Sequence, residues 1–169
     1  LPTTPYLSQL AQAGELCIFS NAVSPANATI ASTQAMLTYY TNEQPKDHWH
    51  QYPDLLSVLK RGGYATAWIT NQESTGGPWS VQQLFGSAAD TLMGNAYRLN
   101  KTNDLFLSDS LFYDEQLLPH LLTFDEVAKA QPHKRGLFAV VHLMGSHAGY
   151  AHRYPKHFAR FGAKDIAQT

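Results

Sequence analysis

Apolar and polar positions fall into blocks along this chain, and the blocks change period as they go. Residues 5–12 put Leu7, Leu10 and Ala11 on one helical face, with Thr4 placed to cap the helix, Pro5 at its first position and Gly14 just past its end. The run from Glu15 to Val23, with Leu16, Ile18, Phe19 and Val23, predicts a mostly buried strand. Helical spacing returns at Ile30, Thr33, Met36 and Leu37, predicting a helix from about residue 29 to 40. Residues 41–52 are polar and predict a loop. Pro53 then opens a second amphipathic helix, with Leu55, Leu56 and Leu59 inward and Gly62-Gly63 ending it, and Tyr64 to Ile69 is the next strand.

The second half continues the alternation less legibly. Val81 to Ala88 predicts a short helix and Asp90 to Met93 a short strand. Between Leu111 and Lys129, the residues Leu117, Leu118, Leu121, Leu122 and Val127 share a helical register, and Pro119 marks either a break or the start of a second helix. His133-Lys134-Arg135-Gly136 predicts a solvated basic turn before an apolar strand at 137–143. Strands alternating with helices predict an α/β protein, a mostly parallel sheet sandwiched by helices.

Composition narrows the picture a little. The 169 residues suffice for one domain with a real core, and the net charge of −1 supplies no basic field for nucleic acid. Cys17 is the only cysteine, which excludes an internal disulfide or a cysteine metal cluster; its place in an apolar run predicts a buried thiol. No apolar run is long enough to span a bilayer. His48-Trp49-His50 has no third ligand beside it and reads as a surface loop.

Candidate chemistry gathers at predicted strand ends. In Ser24-Pro25-Ala26-Asn27-Ala28-Thr29 the chain passes from strand to helix, which would leave Thr29 in a first turn whose unpaired N–H groups favour an anion. Asn27 or Thr29 serving only as a helix cap is the plainer alternative. Phe138 to His147 is an apolar strand running into Gly145-Ser146-His147, where open α/β sheets keep their ligand sites. His142 would end that strand and His147 project from the loop beyond it, although a loop histidine bonded to backbone fits the same pattern.

In order, Thr3-Thr4-Pro5-Tyr6-Leu7, Asn21-Ala22-Val23-Ser24, the Thr29 turn, and Met144-Gly145-Ser146-His147 followed by Arg153-Tyr154-Pro155 resemble the periplasmic catalytic domain of bacterial phosphoethanolamine transferases. These belong to the alkaline phosphatase and sulfatase superfamily. The resemblance runs over about residues 3–161, with little signal between about 75 and 130. It implies a periplasmic domain of a bacterial inner-membrane protein, whose membrane-embedded part lies outside this chain.

The activity it implies is transfer of phosphoethanolamine from phosphatidylethanolamine to a lipopolysaccharide or glycan acceptor, through a covalent threonine intermediate. Thr29 would be the nucleophile and a zinc ligand. His147, Asn71 and Gln72 would contact the phosphoryl group, with His142 and Arg153 in support. The implied cofactor is Zn2+, which activates a hydroxyl as a Lewis acid. The family's remaining zinc ligands match nothing in residues 1–169, so the chain by itself is expected to be a partial domain that binds zinc weakly and does not turn over.

Departures from the family pattern matter too. Gly76-Gly77 stand where many relatives carry a lysine, and Pro25 and Ala35 where many have cysteines bracketing the nucleophile turn. A phosphatase or sulfatase using water as acceptor is one alternative, weakened by the lack of a formylglycine motif. A non-catalytic glycan-binding domain is another.

Overall fold

A computed structural model describes residues 4–41, 43, 48–72, 84–94, 113–145, 150 and 153–162. Its centre is a three-stranded parallel sheet: β1 (Ala65–Thr70), β2 (Thr91–Gly94) and β3 (Leu137–His142), in the order β2-β1-β3. Ala67 pairs with Thr91 on one side and Ala139 on the other, which makes β1 the central strand. All six β1 residues are buried, as expected of a strand covered on both faces.

The pleat of β1 divides the core. Ala65, Ala67 and Ile69 point to one face and pack with Leu117, Phe124 and Ala128. Trp68 points to the other, where it packs with Leu56 and Phe85, with Ile30 and Leu37 against their edge. The helices supplying these faces are α2 (Thr29–Leu37), α3 (Leu55–Arg61) and α4 (Leu118–Lys129), whereas α1 (Pro5–Gln12) buries no residue. The expected parallel sheet between helical layers is therefore present.

Local chemistry explains the helix ends. Asp54, not Pro53, starts α3: its carboxylate accepts the Ser57 N–H at 2.9 Å and the Ser57 hydroxyl at 2.6 Å. Pro119 resolves as a helix start, because a 3-10 turn at Asp114–Leu117 precedes α4 and Pro119 lies in the first turn of α4, where its missing N–H costs nothing. In α1, Pro5 takes the first position as expected, but Thr4 makes no side-chain cap.

Two expectations fail between α1 and α2. Glu15 to Val23 forms no strand, and Ile18, Phe19 and Val23 are 71, 82 and 89% exposed. Strand propensity reflects packing on a sheet, and among the described residues both edges of β1 are already taken by β2 and β3. The run pairs with neither outer strand among the described residues, and Cys17 is exposed with it. The basic turn is also less solvated than its composition suggests. Lys134 reaches the Tyr64 carbonyl at 3.3 Å and the Asp90 carboxylate at 3.4 Å, pinning the turn to the amino end of the sheet.

Candidate functional site

The carboxyl ends of β1 and β3 lie side by side, since Thr70 pairs with His142 and the Asn71 N–H donates to the His142 carbonyl at 3.0 Å. Residues following either strand are thereby brought together, as the topology of a parallel sheet requires. Gln72 Nε2 donates to the Leu143 carbonyl at 2.9 Å, and the Gln72 N–H to Thr70 Oγ1 at 3.0 Å. Thr70 Oγ1 in turn lies 3.3 Å from His142 Nδ1. Of the six residues singled out in the sequence, Asn71, Gln72 and His142 thus meet in one cluster.

His142 sits against the Trp68 ring, with centroids 5.6 Å apart. Burial pushes its pKa below the ordinary imidazole value, and the nearby Asp114 carboxylate opposes that only in part. The arrangement suits a neutral imidazole near pH 7, able to exchange a proton or hold a neutral hydrogen bond.

Asn71 is 1% exposed, so it does not stand open to a ligand as the sequence suggested. Its Nδ2 donates to Asp114 Oδ1 at 2.8 Å, and the same carboxylate accepts the N–H groups of Met144 at 2.9 Å and Gly145 at 2.8 Å. Sequence reasoning missed Asp114, which lies in the stretch with little recognisable signal and looks there like an ordinary acidic residue opening a helical turn.

Thr29 is the first residue of α2 and is exposed. Ala28 occupies the cap position with extended backbone, and no side chain caps the helix, so the reading of Asn27 or Thr29 as a cap fails. The turn before Thr29 is held from within the helix. Ser32 Oγ donates to the Ala26 carbonyl at 2.9 Å and lies 3.2 Å from Ser24 Oγ, which itself donates to Ala26 at 2.6 Å. Ile30, the next residue, packs against the Trp68 side of the core. Among the described residues Thr29 shares no hydrogen bond with Asn71, Gln72 or His142.

Arg153 donates its backbone N–H to the Tyr150 carbonyl at 3.2 Å in the turn beyond β3. His147 and Gly76-Gly77 lie outside the described residues. His48 and His50 stack on one another, 5.4 Å between centroids, in an exposed 3-10 turn. No set of three or more His, Cys, Asp or Glu among the described residues could hold a metal ion. Thr29 alone is no zinc site, so the described residues do not fit the zinc that the resemblance implies.

The sulfatase family matches residues 1–168, effectively the whole chain. The chain belongs to that family. It is homologous to phosphoethanolamine transferase EptC of Escherichia coli strain K12, at 31% identity over 160 residues, covering 94% of this chain and 26% of that protein. Phosphoethanolamine transferase CptA of Salmonella typhimurium strain LT2 is 29% identical over 163 residues, covering 96% of this chain and 26% of its own. This sulfatase-family chain thus spans about a quarter of the length of these relatives. The crystal structure of the C-terminal periplasmic domain of Escherichia coli EptC in complex with Zn superposes with a TM-score of 0.70 at 30% identity, over 95% of this chain and 43% of that one. The fold is that of the alkaline phosphatase and sulfatase group. No helix among the described residues is long and apolar enough to cross a membrane.

Proposed function

We propose that this sulfatase-family domain, within its full-length protein, transfers phosphoethanolamine from phosphatidylethanolamine to a lipopolysaccharide or glycan acceptor of the cell envelope. The similarity to phosphoethanolamine transferases over nearly the whole chain carries this reading. Thr29 is its nucleophile. The support is its position: an exposed hydroxyl at the N-terminus of α2, where backbone N–H groups and the helix dipole favour an incoming phosphate.

In the first step the Thr29 Oγ–P bond forms and the P–O bond to diacylglycerol breaks. A base takes up the Thr29 proton, and that proton is passed to the diacylglycerol oxygen as it leaves. The acceptor oxygen then bonds to the same phosphorus as the Thr29 Oγ–P bond breaks, and the proton given up by the acceptor hydroxyl is returned to Thr29 Oγ. His147 and Gln72 hold the phosphoryl oxygens, with His142 and Arg153 in support. Asn71 serves from beneath, through the loop it helps to fix. Zinc has no donor set among the described residues, and no step is assigned to it. The place of action is the periplasmic face of a bacterial inner membrane, where both the donor lipid and envelope glycans are at hand.

Replacing Thr29 by Ala in the full-length protein tests this. Transfer from vesicles containing phosphatidylethanolamine should be lost with the fold intact; transfer at the wild-type rate would remove Thr29 from the reaction.

A further inference from the structure

We infer that Asp114 is a positioning residue for this site, one that fixes Asn71 and the loop after β3 in a single arrangement; the role rests on the transfer reaction proposed above. Its two oxygens take three donors. Oδ1 accepts Asn71 Nδ2 at 2.8 Å and the Met144 N–H at 2.9 Å, while Oδ2 accepts the Gly145 N–H at 2.8 Å. Two of those donors are main chain just past β3, and the third is a buried side chain just past β1. One carboxylate therefore ties the ends of both strands, and Gln72 adds a fourth bond to the same loop at Leu143.

The chemical type matters as much as the position. Every partner is an N–H, so both oxygens must accept and neither may donate. An ionised carboxylate satisfies this; a carboxamide of the same shape turns an NH2 toward one of the donors. Asp114 is itself anchored, because it opens the 3-10 turn whose Leu117 is buried beneath β1 among Ala65, Ala67 and Ile69. Gly145, at φ 55°, takes the left-handed backbone that lets the loop turn at this point. The loop so fixed also receives Gln72 at Leu143, which makes Asp114 the group through which the ends of β1 and β3 set Gln72.

The test is the Asp114→Asn variant of the full-length protein, assayed for transfer from vesicles of graded phosphatidylethanolamine content. A loop displaced by a fraction of an ångström weakens the hold on the donor, so KM for the lipid should rise about tenfold or more while folded protein still accumulates. Asp114→Glu keeps an acceptor-only carboxylate one methylene further out and should recover part of the loss. If Asp114→Asn yields no folded protein, Asp114→Glu carries the same test, with KM raised over wild type. Combined with Asn71→Ala, the effect on KM should fall short of the product of the two single effects, since the two residues share one of the three bonds to Asp114. A melting temperature that falls with KM unchanged would reduce Asp114 to a structural role and overturn the inference alone. A wild-type protein that transfers nothing would overturn the proposed function, and this inference with it.

Discussion

The Asp90 carboxylate accepts both the backbone N–H of Thr66, at 3.1 Å, and the Thr66 hydroxyl, at 3.2 Å, while the Asp90 N–H returns a bond to that hydroxyl at 3.0 Å. Pairing between β1 and β2 begins only at Ala67 and Thr91, so a side chain here continues the ladder one residue beyond the strand. Thr66 is fully buried, and without Asp90 its N–H would have no water to turn to.

Asp90→Ala should therefore cost about 1–3 kcal/mol, the penalty for a buried donor left unmade, read as a lower denaturation midpoint in the full-length protein. The neighbouring Lys60 and Lys134 add little, being partly exposed. Burial alone would raise the Asp90 pKa, but Lys60, the Thr66 N–H and the charge of Lys134 outweigh it and hold the value below 3.8. A depressed folded value means that the contribution is present above the ordinary carboxylate range and lost as pH falls through the folded value. Wild type should thus lose stability below about pH 4 more steeply than Asp90→Ala; equal slopes would contradict the assignment.

His142 should titrate below 6.5 in the folded protein, because burial disfavours its cation. The unfolded chain then takes up the proton first. Stability from this residue is intact above 6.5 and is lost as pH falls from there toward the lowered folded value. Following the imidazole by NMR checks the direction, and a midpoint at or above 6.5 would refute it.

Gly94 cannot take a side chain. A Cβ there would overlap the Thr70 carbonyl oxygen, a backbone atom of the central strand with no freedom to yield. Gly94→Ala should destabilise by about 1–3 kcal/mol, as overpacking in a tight core does, whereas an unchanged melting temperature would show that β2 can shift aside.

Ser32 holds the turn that presents Thr29. Ser32→Ala removes its bond to Ala26 and its contact with Ser24, at a cost of about 1 kcal/mol. The rate at which Thr29 acquires phosphoethanolamine should fall by a larger factor than the stability change implies. A normal rate would mean that the turn is positioned by something else.

Much of this was legible because it is local. The apolar run of β1, punctuated by Gly62-Gly63, and the apolar run of β3 after Gly136 read directly as strands, and Pro119 could only break or begin a helix. Glu15 to Val23 has the same composition as a strand, yet a strand exists only with a neighbour, and composition carries no record of one. Cys17 was misread for the same reason. Asn71 stands at the strand end as read, and its amide bonds to Asp114, 43 residues further on, a pairing that local sequence does not show. Asp114 gathers donors from two segments distant in sequence, and no spacing rule registers such a meeting.

The central claim is that Thr29 carries the phosphoethanolamine group between donor and acceptor. Peptide mass spectrometry of the full-length protein, incubated with zinc and phosphatidylethanolamine in the absence of acceptor, tests it most directly. One phosphoethanolamine adduct localised to Thr29, absent from Thr29→Ala, is the expected result. An unmodified Thr29 in protein that still transfers the group from the lipid would contradict the account.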